Sequence, residues 1–170
     1  GDSGAEPTGI TKVSGIGSIA IGTNGGAPAW STVTGLVKEV EIDNASINAN
    51  TLGFLTNPKV KAKLASTAKV SSTDSHMILG EPWNALYGYP MAVTTNVPSD
   101  LTKGSTNGTC SAMIFGDFSQ LIMGMWNPPD VLVDPYTNGN KGTVRIVVLQ
   151  EIDLAVRHAQ SFSACLDLTT

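Results

Sequence analysis

Charge is what this chain has least of. Charged residues fill 14% of its 170 positions, well under the roughly 25% of an average soluble domain. The ten Lys and Arg form no basic run, and Lys59, Lys61, Lys63 and Lys69 are the nearest to a cluster. A helix there spreads them over its solvated side, so the pattern argues against sequence-specific nucleic-acid binding. Cysteine is scarce too. Cys110 and Cys165 show no metal-ligand spacing and no disulfide framework. Both read as buried small hydrophobes in a reducing compartment. Nothing resembles a transmembrane span or a signal peptide, so no membrane partner is expected. There is no internal repeat and no low-complexity tail.

What fills the space is apolar and small polar matter. Hydrophobic residues make up 41%, with 18 Gly and many Ser, Thr and Asn. A surface of this kind loses little on desolvation, which suits burial against other subunits. The length allows one domain, or one domain with an appendage.

The most informative stretch is residues 143–162. Even positions carry Val144, Ile146, Val148, Gln150, Ile152, Leu154 and Val156, while Arg145, Glu151, Asp153 and Arg157 share the odd face. Period-two alternation predicts one strand over about 143–160, paired antiparallel with the segment around Leu132, its even face buried. Strands usually run about 3–10 residues, so this one implies an elongated arm that reaches towards neighbours.

Upstream, residues 1–15 read as a polar entry loop and 16–21 as a short strand. Ser31 is placed as the N-cap of a helix bearing Val33, Leu36, Val37 and Val40, which ends near 42–44. Residues 51–56 fit a buried central strand. Asn57 and Pro58 follow as N-cap and first helical residue, with Val60 and Leu64 on one face. Residues 71–85 are loop-like. Residues 86–95 read as a strand interrupted by Gly88, Tyr89 and Pro90, so an edge or a kink is expected there. A surface loop over 96–109 precedes two strands, 113–118 and 121–126. A short strand at 131–133, a turn over 134–141, the long strand and a closing strand over 163–169 complete the chain. The fold class is α+β, with a β-rich extension.

No catalytic set emerges. Gly1-Asp2-Ser3-Gly4 spells the segment around the nucleophile of trypsin-like proteases, but there the His and Asp precede the Ser, and here nothing does. Gly15-Ile16-Gly17 is too short for a dinucleotide fingerprint. Asp74, His76 and Glu81 could be imagined as metal ligands, but three polar residues in a loop are more often solvated. His158 continues the apolar even face and reads as a core or interface histidine. Trp30, Trp83 and Trp126 form no stacking ladder. No cofactor and no metal is expected, and the chain reads as a non-enzyme.

Four segments, in order, resemble the C-terminal half of tailed-phage major capsid proteins of the Hong Kong 97 fold. GDSGAEPTGI resembles the glycine-rich linker after the family's spine helix, and LTNPKVKAKL its strand-to-helix step. LYGYPMAVTTNVP with MIFGDFSQLI resembles the family's "L-x-G-x-P-V … vP … fGDfs" pattern. YTNGNKGTVRIVVLQEIDLAVRHAQSF resembles the terminal hairpin of its peripheral domain.

The resemblance implies an axial domain over 10–121 and 163–170, with a mixed sheet and flanking helices. Residues 122–162 would be the long β-hairpin of the peripheral domain, and 1–9 the linker. It implies that the arm, extended loop and spine helix are absent here, with Gly1 at a cut in an exposed segment. The function implied is a structural capsid protein of a tailed phage or prophage. It would self-assemble as hexamers and pentamers into an icosahedral shell that encloses the genome. Partners would be copies of itself, with scaffold or portal proteins besides. The location would be the virion, after assembly in the bacterial host cytoplasm, with DNA held by confinement. Some members weld subunits through a Lys–Asn isopeptide bond assisted by a Glu. Glu151 takes that Glu's position, but the Asn position falls on Val144, and Asn138 and Asn140 sit in the preceding turn. Glu151 therefore reads as a solvated or salt-bridged group. A nanocompartment shell of the same fold is one alternative. A hydrolase or carbohydrate-binding module on a β-rich scaffold is another, and it would need convergent polar residues in a pocket.

Overall fold

In the computed structural model, residues 6–45, 48–72, 76–81 and 84–170 are described. The chain is α+β. A seven-stranded mixed sheet carries the order β1-β11-β6-β2-β4-β3, with β5 pairing β6. The strands are β1 (Gly17–Ile19), β2 (Leu52–Thr56), β3 (Ala85–Leu86), β4 (Tyr89–Val93), β5 (Leu101–Lys103), β6 (Thr106–Asp117) and β11 (Phe162–Thr169). Two helices, α1 (Trp30–Ile42) and α2 (Pro58–Ser66), cover one face.

The centre of the sheet follows from its residues. β2 is buried nearly throughout, which is why it reads as a continuous apolar run rather than an alternation. Beneath the helices, Val33, Leu36, Val37 and Val40 of α1 and Val60 and Leu64 of α2 pack on Leu52, Phe54, Met91, Met113, Phe115 and Leu168. Phe54 and Phe115 meet at 4.6 Å between ring centroids. The opposite face carries a smaller cluster of Ile114, Phe162 and Ala164. Ile10, Ile16, Leu55, Phe118, Leu121 and Val156 pack against it. Asn57 caps α2, its Oδ1 accepting from Val60 N at 2.9 Å, with Pro58 in the first turn. Gly116 is required by contact: a Cβ there would overlap the Phe162 ring and the Ser161 carbonyl.

Several expectations need correction. α1 begins at Trp30, so Ser31 lies inside it and Ala29 is the N-cap; the entry is tied by Thr32 Oγ1 accepting from Ala29 N at 3.4 Å. Residues 96–109 are not all loop: β5 and β6 form a hairpin there. Thr and Asn on its outer end hid the strand. The strands expected over 113–118 and 121–126 do form, β6 reaching Asp117 and β7 running over Leu121–Met125. The break at 88–90 is instead a two-residue turn at Tyr87 and Gly88, both with positive φ. Pro90 sits in β4 opposite Ala85, next to the two-residue edge strand β3.

Candidate assembly surface

The remaining strands leave the sheet as a ribbon. β7 (Leu121–Met125) pairs antiparallel with β10 (Ile152–Val156), and β8 (Asp130–Asp134) with β9 (Arg145–Leu149). Leu132 lies opposite Val147, so the expected pairing partner is correct. The single strand over 143–160 is not. Between the pairs Met125–Ile152 and Asp130–Leu149, one side has the four residues 126–129 and the other only Gln150 and Glu151. Pro128 and Pro129 have no N–H to give the ladder, so pairing stops and resumes two residues out of step. The joint is held by Trp126 N donating to Glu151 O at 3.2 Å and by Asn127 Nδ2 donating to Glu151 Oε2 at 3.4 Å.

The expected buried face is the second correction. Residues opposite one another in an antiparallel pair share a face, so Val131, Val133, Ile146 and Val148 form one wholly apolar surface. It is open: Val133 is 56% and Ile146 64% exposed, and Val144, Val148 and Ile152 are exposed too. Only Leu154 and Val156, nearer the body, are half-buried. Thirteen of the eighteen exposed large hydrophobic side chains among the described residues lie between Ile122 and Ile152. Monomeric proteins seldom expose contiguous apolar area beyond a few hundred Å², and a larger patch marks an interaction site. A two-stranded ribbon without a second layer is also marginal in water. This ribbon is built to be covered.

Its tip is rigidified by hydrogen bonds. Asp134 accepts from the backbone N–H groups of Tyr136 (2.9 Å) and Thr137 (3.1 Å) and from the Thr137 hydroxyl. The Thr137 hydroxyl and these amides hold its carboxyl below the ordinary carboxylate range. At the ribbon's root, burial raises the Asp117 carboxyl, but hydrogen bonds from Ser119, Thr51 and Gln120 outweigh it and leave the pKa lowered.

Polar residues do converge at one place that sequence reasoning missed. A cavity of about 590 Å³ beside the root is lined by Asp43, Asp117, Ser119, Gln120, Arg157 and His158, among others. Residues from three separate loops meet there, and no sequence spacing connects them. Ser119 Oγ is engaged by Asp117 Oδ1 at 2.7 Å, and no Ser–His hydrogen bond forms among the described residues. His158 is exposed, not a core residue. Of the imagined metal ligands, His76 and Glu81 are exposed, and Asp74 lies outside the described residues. No group of three or more ligating side chains forms among the described residues. Gly1 to Gly4 and Trp83 also lie outside them; Trp30 packs edge-on to Tyr87 and Trp126 is exposed at the joint. Glu151 is exposed and bonded to Asn127, not salt-bridged. Cys110 and Cys165 are buried and free. Burial pushes the Cys165 thiol up to about 12. No helix among the described residues is long and apolar enough to cross a membrane.

The architecture is thus a mixed sheet with two helices on one face and a jointed apolar ribbon. The sequence matches the Phage capsid family over residues 1–165, and the chain belongs to that family. It is 22% identical over 160 residues to the major capsid protein of Halomonas phage phiHAP-1, covering 93% of this chain and 23% of that protein. Among solved structures it is similar to the capsid of a native GTA particle (TM-score 0.66, 21% identity, 96% of this chain and 56% of that one). It is also similar to Mycobacterium phage Ogopogo (TM-score 0.60, 17% identity, 95% and 56%). The chain thus spans under a quarter of that curated relative and little more than half of those solved chains.

Proposed function

We propose that this chain is the shell-forming C-terminal portion of a major capsid protein of a tailed phage or prophage. The protein associates with copies of itself as hexamers and pentamers and encloses the genome. The observation that carries the reading is the ribbon of β7–β10, whose apolar side chains from Val131 to Ile152 stand exposed among the described residues. In this reading residues 10–121 and 163–170 are the axial domain, packed around the local symmetry axis. Residues 122–162 are the peripheral hairpin that bridges to a neighbour, and 1–9 are the linker after the spine helix. Scaffold and portal proteins are further partners. The protein is assembled in the host cytoplasm and resides in the virion, and its role is geometric rather than catalytic.

Stable interfaces bury about 1,200–2,000 Å² in total. A single ribbon face supplies only part of that, so the chain as given is expected to be a monomer or weak oligomer. The full-length protein is expected to assemble. Light scattering on both tests this. Closed shells from the short chain alone would show that the rest of the protein is dispensable for assembly.

A further inference from the structure

Both helices carry charge of the wrong sign for their own dipoles. The last turn of α1 holds Glu39 and Glu41, with Asp43 just beyond, and no basic residue. The first half of α2 holds Lys59 and Lys61, and its first turn no acidic residue, while Lys63 lies in the last turn, where a cation suits the dipole. A helix C-terminus favours cations and an N-terminus anions. Lys59 and Lys63 also stand one turn apart on one face, where like charges repel. Neither arrangement helps the isolated fold. No ion pair holds Lys59, Lys61 or Lys63 among the described residues.

Both ends also expose apolar surface. Ile42 is 64% exposed at the end of α1, between the exposed carboxylates of Glu41 and Asp43. Lys59, Ala62, Lys63, Ser66 and Thr170 line an open, mostly apolar hollow of about 340 Å³ on α2. One end is an apolar knob beside carboxylates, and the other a shallow apolar hollow beside ammonium groups. They cannot meet within one copy. β1 and β2 both run parallel to β11, because β6 is antiparallel to β2 and to β11. The helix between β1 and β2 therefore runs back, ending where β2 begins. α2 starts where β2 ends, about 17 Å away for five residues.

Resting on the capsid reading above, we propose that the Glu41-Ile42-Asp43 end of one copy docks in the Lys59/Lys63 hollow of the next. Such a head-to-tail contact is heterologous, and it closes into a ring if the rotation permits. Arg157 and His158 line a cavity with Asp43, so Glu41 is the acidic partner to test.

The test uses the full-length capsid protein. Glu41→Lys and Lys59→Glu each relieve a dipole clash. Melting of the unassembled protein should be unchanged or higher, while the assembled fraction by mass photometry falls at least tenfold. Mixing the two variant proteins should restore six-membered rings, in which the variants alternate and each offers the end that the other accepts. Variants that assemble like wild type, or a mixture that forms no six-membered rings, would overturn the contact. So would loss of DNA retention by the lysine variant with assembly intact, which would assign the lysines to a polyanion. A wild type that never assembles would instead sink the capsid reading itself.

Discussion

Replacing Ile146 by Asp should leave this chain folded and weaken association of the full-length protein about a hundredfold. Ile146 is 64% exposed on the ribbon face opposite Val133, so about a third of its area is covered in the monomer. Full burial of such a side chain contributes about 1.5–3 kcal/mol, so the monomer should lose about 1 kcal/mol or less. For a chain of this size that is roughly 2–4 °C in melting temperature. In an assembly that covers the face, the remaining burial is lost and an unpaired carboxylate is forced against apolar surface. Together these cost about 3 kcal/mol, roughly a hundredfold in affinity. Circular dichroism melting of this chain and sedimentation velocity of the full-length protein separate the two effects. Leu64→Ala is the control: Leu64 is fully buried under α2, and its truncation should cost about 2–5 kcal/mol of fold stability. An Ile146→Asp chain that melts as low as Leu64→Ala would show that the ribbon face is already buried in the monomer.

Three further outcomes follow. Asn57→Ala removes the cap on Val60 N and the bond to Pro98 O and should destabilise by about 1 kcal/mol in urea titration. Unchanged stability would deny the cap its role. Because the folded pKa of Asp117 is lowered, its contribution is present above the unfolded value near pH 4 and lost as pH falls through the folded one. Asp117→Asn should therefore flatten the acid limb of stability against pH below about 4, and an identical limb would refute the assignment. Cys165, buried and with its thiol near 12, should resist iodoacetamide at pH 8 until denaturant is added, read by intact mass. Rapid labelling of the native chain would show that the β11 core is open.

The parts of the fold that were legible in sequence are those whose local chemistry had one solution. Asn57-Pro58 could only start a helix, and a run buried on both faces, like β2, reads as central. Ser31 misled because a hydroxyl next to a helix start resembles a cap, while the chain used Thr32 from inside the first turn. The ribbon shows the deeper limit. Its alternation reported a strand with one apolar face, but period-two patterning does not say whether the covering layer belongs to the same chain. The joint at Gln150 and Glu151 was hidden because its cause, Pro128 and Pro129, sits on the opposite strand. The knob on α1 and the hollow on α2 were invisible for a similar reason: the lysines read as a solvated face until the fold put them and the acidic end at opposite ends of β2.

The account rests on self-association, and negative-stain electron microscopy of the full-length protein expressed alone tests that most directly. It predicts closed, uniformly sized shells built of hexamers and pentamers. A protein that remains monomeric at every concentration and salt condition would contradict it.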